Sequence, residues 1–340
     1  MKLASPWRLV PIFLSIASPA VASVGVSGTM SNFDVFNETG TSVEGAEIEL
    51  EDLHLGDVTE TYTWTHFPRP TVTEYVDGAT NTFGVRIRYS SFDALSQSFT
   101  YSVTPTVGSN TNGHQCVMVS GCEHFGFSIS KQPTATRYFW LDHPDGGTPA
   151  ELVRLGSVPM QIATPVWSFV PANNGQPAQL QAEIKLPEPV EVPNQKPDAV
   201  WVKIFKTETK LEVKLEDLMS GNDVVPEAES ETEMEWKLLE NGKPFIAKVD
   251  VADASKSVVR RYEFYKYVGL VDEENGPICD DACELDPQAV GALGDFIGAQ
   301  MAAANIGEVA AVPEPETYAM FLAGLGIVGY RLRSRRKTAR

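Results

Sequence analysis

The chain has little of what catalysis usually requires. Five histidines (His54, His66, His114, His124, His143) are spread over 340 residues, and none has a catalytic neighbour at a familiar spacing. There is no G-x-S-x-G elbow, no H-E-x-x-H, no G-x-x-x-x-G-K and no G-x-G-x-x-G. Their absence removes the hydrolase, zinc-protease and nucleotide-binding classes that rest on them. Positive charge is also scarce: 27 basic residues face 45 acidic ones, for a net charge of -18. Much of the basic minority sits at the ends, as Lys2 and Arg8 at the start and six residues against Glu314 and Glu316 after Pro313. Residues 23–312 are left with -24. A body that acidic repels phosphate backbones, which argues against nucleic acid as a partner.

Cysteine is sparse too, with four residues in two close pairs, Cys116/Cys122 and Cys279/Cys283. Their meaning depends on the compartment, and the N-terminus supplies it. Lys2 and Arg8 form a positive leader, Leu9–Ala17 a short apolar core, and Ala20-Val21-Ala22 a small-residue cleavage site before Ser23. Residues 1–22 therefore read as a secretory signal peptide handled by the Sec machinery and signal peptidase. Export into an oxidising compartment favours two local disulfides, Cys116–Cys122 and Cys279–Cys283. The alternative at the first pair is a zinc site built from His114, Cys116, Cys122 and His124, whose ends are symmetric. Oxidising conditions favour the disulfide over it. No metal or other cofactor is expected.

The body reads as mainly β, in two antiparallel sandwich-like domains. In residues 23–170, "TETYTWTHF" alternates at period two and places Tyr62, Trp64 and His66 on one face. "FGVRIRYSS", "SFTYSVTPT", "FGFSISK" and "TRYFWLD" are further short runs rich in β-branched and aromatic residues, separated by Gly, Asn and Pro clusters. Residues 171–197 hold six prolines and read as a linker. Residues 198–306 form the second unit, with alternating runs in "AVWVKIFKTETKLEVKLEDL", a hairpin around Asn241-Gly242 and a strand in "VVRRYEFYKYVGL". A terminal helix is expected in "DPQAVGALGDFIGAQMAAANI", with Asp286 as N-cap, Pro287 at its first position and Val290, Leu293, Phe296, Ile297 and Met301 on one face.

Three further features bear on chemistry. The segment Asp272–Asp286 is dense in acids, which suits a solvated loop and does not follow the spaced ligand pattern of an EF-hand. Asn37-Glu38-Thr39 is formally a glycosylation sequon. Trp64, Tyr138 and Trp140 are candidates for stacking on sugar rings, against the alternative that they pack the core. Two carboxylates would suffice for glycoside hydrolysis, but the body's acids single out no pair.

The C-terminus is the sharpest feature. Pro313-Glu314-Pro315 lacks two backbone donors and resists both helix and sheet, leaving an accessible, extended segment. Thr317–Tyr330 follows with 14 uncharged residues, about 21 Å as a helix against the ~30 Å hydrocarbon core. Arg331, Arg333, Arg335, Arg336 and Lys337 then form a basic stop, which snorkels toward the headgroups and holds the end in the cytoplasm. In that order the three parts of residues 312–340 closely resemble the PEP-CTERM sorting signal of Gram-negative bacteria. The resemblance implies a single transmembrane helix at 317–330 and passage through the inner membrane. It also implies recognition by an exosortase at Pro313, Glu314 and Pro315, cleavage near them, and delivery to the cell surface or extracellular matrix. Such proteins often accompany exopolysaccharide and biofilm. The expectation is an exported protein with a structural or binding role and no enzymatic activity. The rival readings are a polysaccharide-active hydrolase with an unidentified carboxylate pair and a calcium-stabilised adhesin.

Overall fold

The protein is described by a computed structural model covering residues 23–309 except 64–65, 68–69, 79–80, 110–115, 117, 157–159, 187–198, 220–229, 241–242, 251–255, 273–275 and 279–285. In chain order the strands begin with β1 (Ser23–Phe36), β2 (Gly45–Glu51), β3 (Val58–Thr63), β4 (Thr71–Asp77) and β5 (Thr82–Ser90). The short β6 (Phe92–Asp93) and β7 (Ser98–Phe99) pair with each other. Then come β8 (Cys122–Ile129), β9 (Thr136–Asp142), β10 (Val153–Arg154), β11 (Val166–Val170), β12 (Gln179–Ile184) and β13 (Ala199–Thr209). A five-residue helix, α1 (Leu215–Met219), precedes β14 (Ser230–Glu240), β15 (Phe245–Asp250) and β16 (Ser257–Tyr267). The series closes with the ribbon β17 (Val271–Asp272) and β18 (Gly276–Pro277), and with β19 (Leu293–Val309).

Alternation explains how the sheets assemble. In β2, Ala46, Ile48 and Leu50 are buried in the core while the glutamates between them point the other way. In β5, Val85, Ile87 and Tyr89 do the same, and register sets Ile48 opposite Ile87 and Tyr138. This builds an antiparallel five-stranded sheet in the order β10-β9-β2-β5-β4. A seven-stranded sheet, β14-β13-β16-β19-β1-β8-β3, supplies Phe33, Phe125, Phe127, Val202 and Phe264 to the same core. A third sheet, β11-β12-β15, covers one face of β16 and β19 through Trp167, Leu180 and Ala182. On the opposite face, Leu215 and Leu218 of α1 pack with Met30, Val259 and Met301.

The mainly β expectation holds, and several finer ones are corrected. Strands on both sides of 171–197 share the seven-stranded sheet, and residues 24–307 form one compact unit rather than two separate sandwiches. The expected linker contains β12, whose Leu180, Ala182 and Ile184 are buried. Proline density at its margins hid a strand that a neighbouring sheet requires. The strands flanking Asn241-Gly242 do not form a hairpin: β14 pairs with β13, whereas β15 pairs with β12 in another sheet.

The terminal helix is the largest correction. Asp286 does cap a turn, accepting the Ala289 N–H at 3.0 Å, but Gly291 at φ +69° ends it, and the chain continues as the 17-residue strand β19. That strand is buried on both faces, Ala302 and Ala304 under one layer and Met301 and Ala303 under the other. A strand covered on both sides has no polar alternation to betray it. Its small residues are needed for close approach, since a Cβ at Gly298 would run into the backbone oxygen of Asp34.

Candidate functional site

A groove of about 750 Å³ opens at the end of β1. Its wall is mostly apolar, with Phe36, Trp140, Met160, Val200 and Ile297. Its charged members are Glu38 and Lys266: Glu38 Oε2 lies 3.2 Å from Lys266 Nζ, while its buried Oε1 has no hydrogen-bond partner among the described residues. Burial raises the Glu38 carboxyl, and the attraction of Lys266 only partly offsets this. One acid and one ammonium in an apolar wall suit an amphipathic ligand. Glu38 is the one carboxylate among the described lining residues, and the nearby charge of Asp295 adds to the rise of its carboxyl.

Two further clusters lie on opposite faces of β8. Glu123 points into the core, fully buried, with its Oε1 2.6 Å from His66 Nδ1 but off the line of a hydrogen bond. The His66 ring stacks on Tyr101 with centroids 4.1 Å apart. Desolvation pushes the Glu123 carboxyl up to about 9 and lowers the imidazole of His66, so both stay neutral at pH 7. On the other face, His124 Nδ1 pairs with Asp34 Oδ1, both buried, and Tyr62 packs edge-on against His124. Tyr62 and His66 therefore do not share a face: β3 ends at Thr63, before the alternation reaches His66. A visible signal for both clusters existed in "FDVF" and "CEHF", where an acid interrupts an apolar strand run.

Cys116 and Cys122 are joined in a disulfide, so their sulfurs are not zinc ligands. Among the described residues no group of three or more His, Cys, Asp and Glu is arranged to hold a metal ion. Cys279, Cys283, His114 and Trp64 lie outside the described residues, as does most of the acidic segment. The signal peptide, Pro313, Glu314, Pro315, the segment 317–330 and Arg331, Arg333, Arg335, Arg336 and Lys337 lie outside as well. Among the described residues no helix is long and apolar enough to cross a membrane. Tyr138 and Trp140 are core residues, which corrects their candidacy as an exposed sugar platform. The sequon is also closed: Asn37 is fully buried and its Nδ2 donates to the carbonyls of Thr41 and Val103 at 2.8 and 2.7 Å.

An ion-pair ladder on the outer face of the five-stranded sheet was missed in the sequence. Glu47 accepts from Arg88 Nε at 3.0 Å and from Arg154 Nε at 2.8 Å. Glu49 accepts from Arg86 Nε at 3.0 Å and Arg137 Nη1 at 3.3 Å, and it also pairs with Arg154. Burial alone would raise the Glu49 carboxyl, but the hydrogen bonds and charges of Arg154 and Arg86 outweigh it and hold the group below its ordinary value. Alternation of "EIELE" and "VRIRY" encodes this face, but partners 37 to 107 residues apart are not legible without register.

The comparisons with known proteins speak to the C-terminus. Residues 311–337 match the family model described as the PEP-CTERM protein-sorting motif. No curated protein matches the chain. The motif supports an exported protein that transits the membrane and is sorted by an exosortase.

Proposed function

We propose, from the premise that the chain carries a PEP-CTERM sorting motif, that its body is a structural or binding component of exopolysaccharide or biofilm material at the cell surface or in the extracellular matrix. The observation that carries this reading is the match at residues 311–337. Three properties of the body are consistent with it. A local disulfide suits an oxidising exterior, the strongly acidic composition favours solubility, and the groove sets a carboxylate beside an ammonium in a largely apolar wall. Pro313, Glu314 and Pro315 are the grip for the exosortase. The segment 317–330 is a temporary inner-membrane anchor, and the basic end is its cytoplasmic stop.

The test is expression in a host with and without its exosortase, following tail mass and protein location. Loss of the tail and arrival at the surface are expected only with the enzyme, and only with Pro313 and Pro315 intact. If Pro313→Ala with Pro315→Ala changes neither mass nor location, the sorting assignment fails.

A further inference from the structure

The outer face of the five-stranded sheet is layered by charge. Side chains of Glu47, Glu49 and Glu51 are 0%, 7% and 18% exposed, whereas Arg86, Arg88, Arg137 and Arg154 are 29–39% exposed. Three carboxylates thus form a buried underlayer, and four guanidiniums form the surface that solvent meets. These seven groups carry one more positive charge than negative, with Asp77 on the same face beyond them at the end of β4, within a body of net charge -24. It is also rigid. Arg154 lies over the Phe139 ring at 3.7 Å and Arg86 over Tyr75 at 4.2 Å, while the carboxylates fix the inner edges of the forks.

A guanidinium has five N–H donors, and the underlayer engages only some of them. Arg86 is tied through Nε and Arg137 through Nη1, which leaves donors on each outer edge. Arg86 and Arg88 stand two residues apart on β5, about 7 Å, and neighbouring strands are about 4.8 Å apart. Register places Thr71 and Thr73, both exposed, beside Arg88 and Arg86 on β4. The result is an array of cationic forks across the sheet face with hydroxyls at its margin.

We propose that this face is a docking surface for a carboxylate-bearing polysaccharide, a uronate polymer. The proposal rests on the reading that the body acts in extracellular polysaccharide. Planar carboxylates match guanidinium forks, and an open sheet face accepts an extended chain where a cleft would accept a small molecule. Charge density separates this partner from nucleic acid. A duplex brings one phosphate per about 1.7 Å of axis against a strongly acidic body, whereas a uronate polymer brings at most one charge per sugar ring.

The test uses the purified full-length chain in detergent, with polygalacturonate, neutral dextran and duplex DNA as probes. Retention on polygalacturonate alone, released by salt, is the expected result. Arg88→Gln with Arg137→Gln should weaken it by about tenfold, and Glu51→Gln, which strips one charge from the underlayer, should strengthen it. Replacing Arg331, Arg333, Arg335, Arg336 and Lys337 by Gln should leave it unchanged. No retention, retention that follows the tail rather than the sheet face, or equal retention on DNA would overturn the proposal. Should the double variant misfold, the Glu51→Gln arm decides: unchanged affinity there counts against it. The assay involves no exosortase, so its failure leaves the sorting assignment standing.

Discussion

Glu123 Oε1 lies 2.6 Å from His66 Nδ1, and that imidazole stacks on Tyr101 at 4.1 Å. The acid is held in the core without a hydrogen-bond partner for either oxygen among the described residues. Dryness, rather than a neighbouring charge, keeps it protonated.

This fixes the sign of a pH effect. The folded carboxyl holds its proton up to about pH 9, while the unfolded one loses it near 4.5. Over that window the native state binds more protons, so stability from this group is full at acid pH and declines as pH rises toward 9. His66, held low by burial, works in the opposite direction below its ordinary value. Glu123→Gln should raise the melting temperature at pH 8 and flatten its fall between pH 6 and 9. Thermal melts across that range check it, and an unchanged slope would count against a buried neutral acid.

Gly298→Ala should cost about 1–3 kcal/mol, because the new methyl meets the Asp34 backbone, which has no room to yield between paired strands. Gly28, also in a strand, has open space around it, and Gly28→Ala should be neutral or slightly stabilising. Urea titration of the two variants separates them.

Arg260 is fully buried, and its three guanidinium nitrogens make no hydrogen bond among the described residues. A buried charge so poorly compensated is a liability. Arg260→Met should be neutral or stabilise the fold by up to about 4 kcal/mol. Glu235 keeps its own partner, Lys206 at 2.6 Å, so the substitution strands no acid there. A lowered urea midpoint would show that the guanidinium does more than the structure records.

The Cys116–Cys122 bridge closes a loop with a sequence separation of six. Chain-entropy arguments give about 2 kcal/mol for so short a loop. Cys116→Ala with Cys122→Ala should lower the melting temperature by several degrees without unfolding the protein. Reductant should lower the melting temperature of the parent chain by at least as much, and any further shift it causes in the variant reports the second pair, Cys279 and Cys283.

The sequence made most strands legible and almost none of their pairing. Runs such as "FGVRIRYSS" and "VVRRYEFYKYVGL" announce β5 and β16 because one face alternates or β-branched residues dominate. β19 was invisible because burial on both faces erases alternation, and Ala and Gly then imitate a helix. The prolines of 171–197 suggest a division into two domains, and β19 is the strand that joins what that division separates. Without β19, the strands β1, β8 and β3 and the strands β14, β13 and β16 have nothing to join them. Of the candidate site, the disulfide was readable from spacing. The groove and the guanidinium layer were not, since their members come from strands far apart in the chain.

The position of β19 has a consequence for the route the protein takes out of the cell. It is the last of the described strands in the chain, yet it sits in the middle of the seven-stranded sheet, between β16 and β1. Until residues 293–309 have emerged, that sheet has a gap at its centre, and closing it requires contacts across nearly the whole chain. A nascent body therefore cannot complete its fold early, and a chain that stays open stays threadable. The strand that unites the finished protein is thus among the last parts of the described body to become available to it.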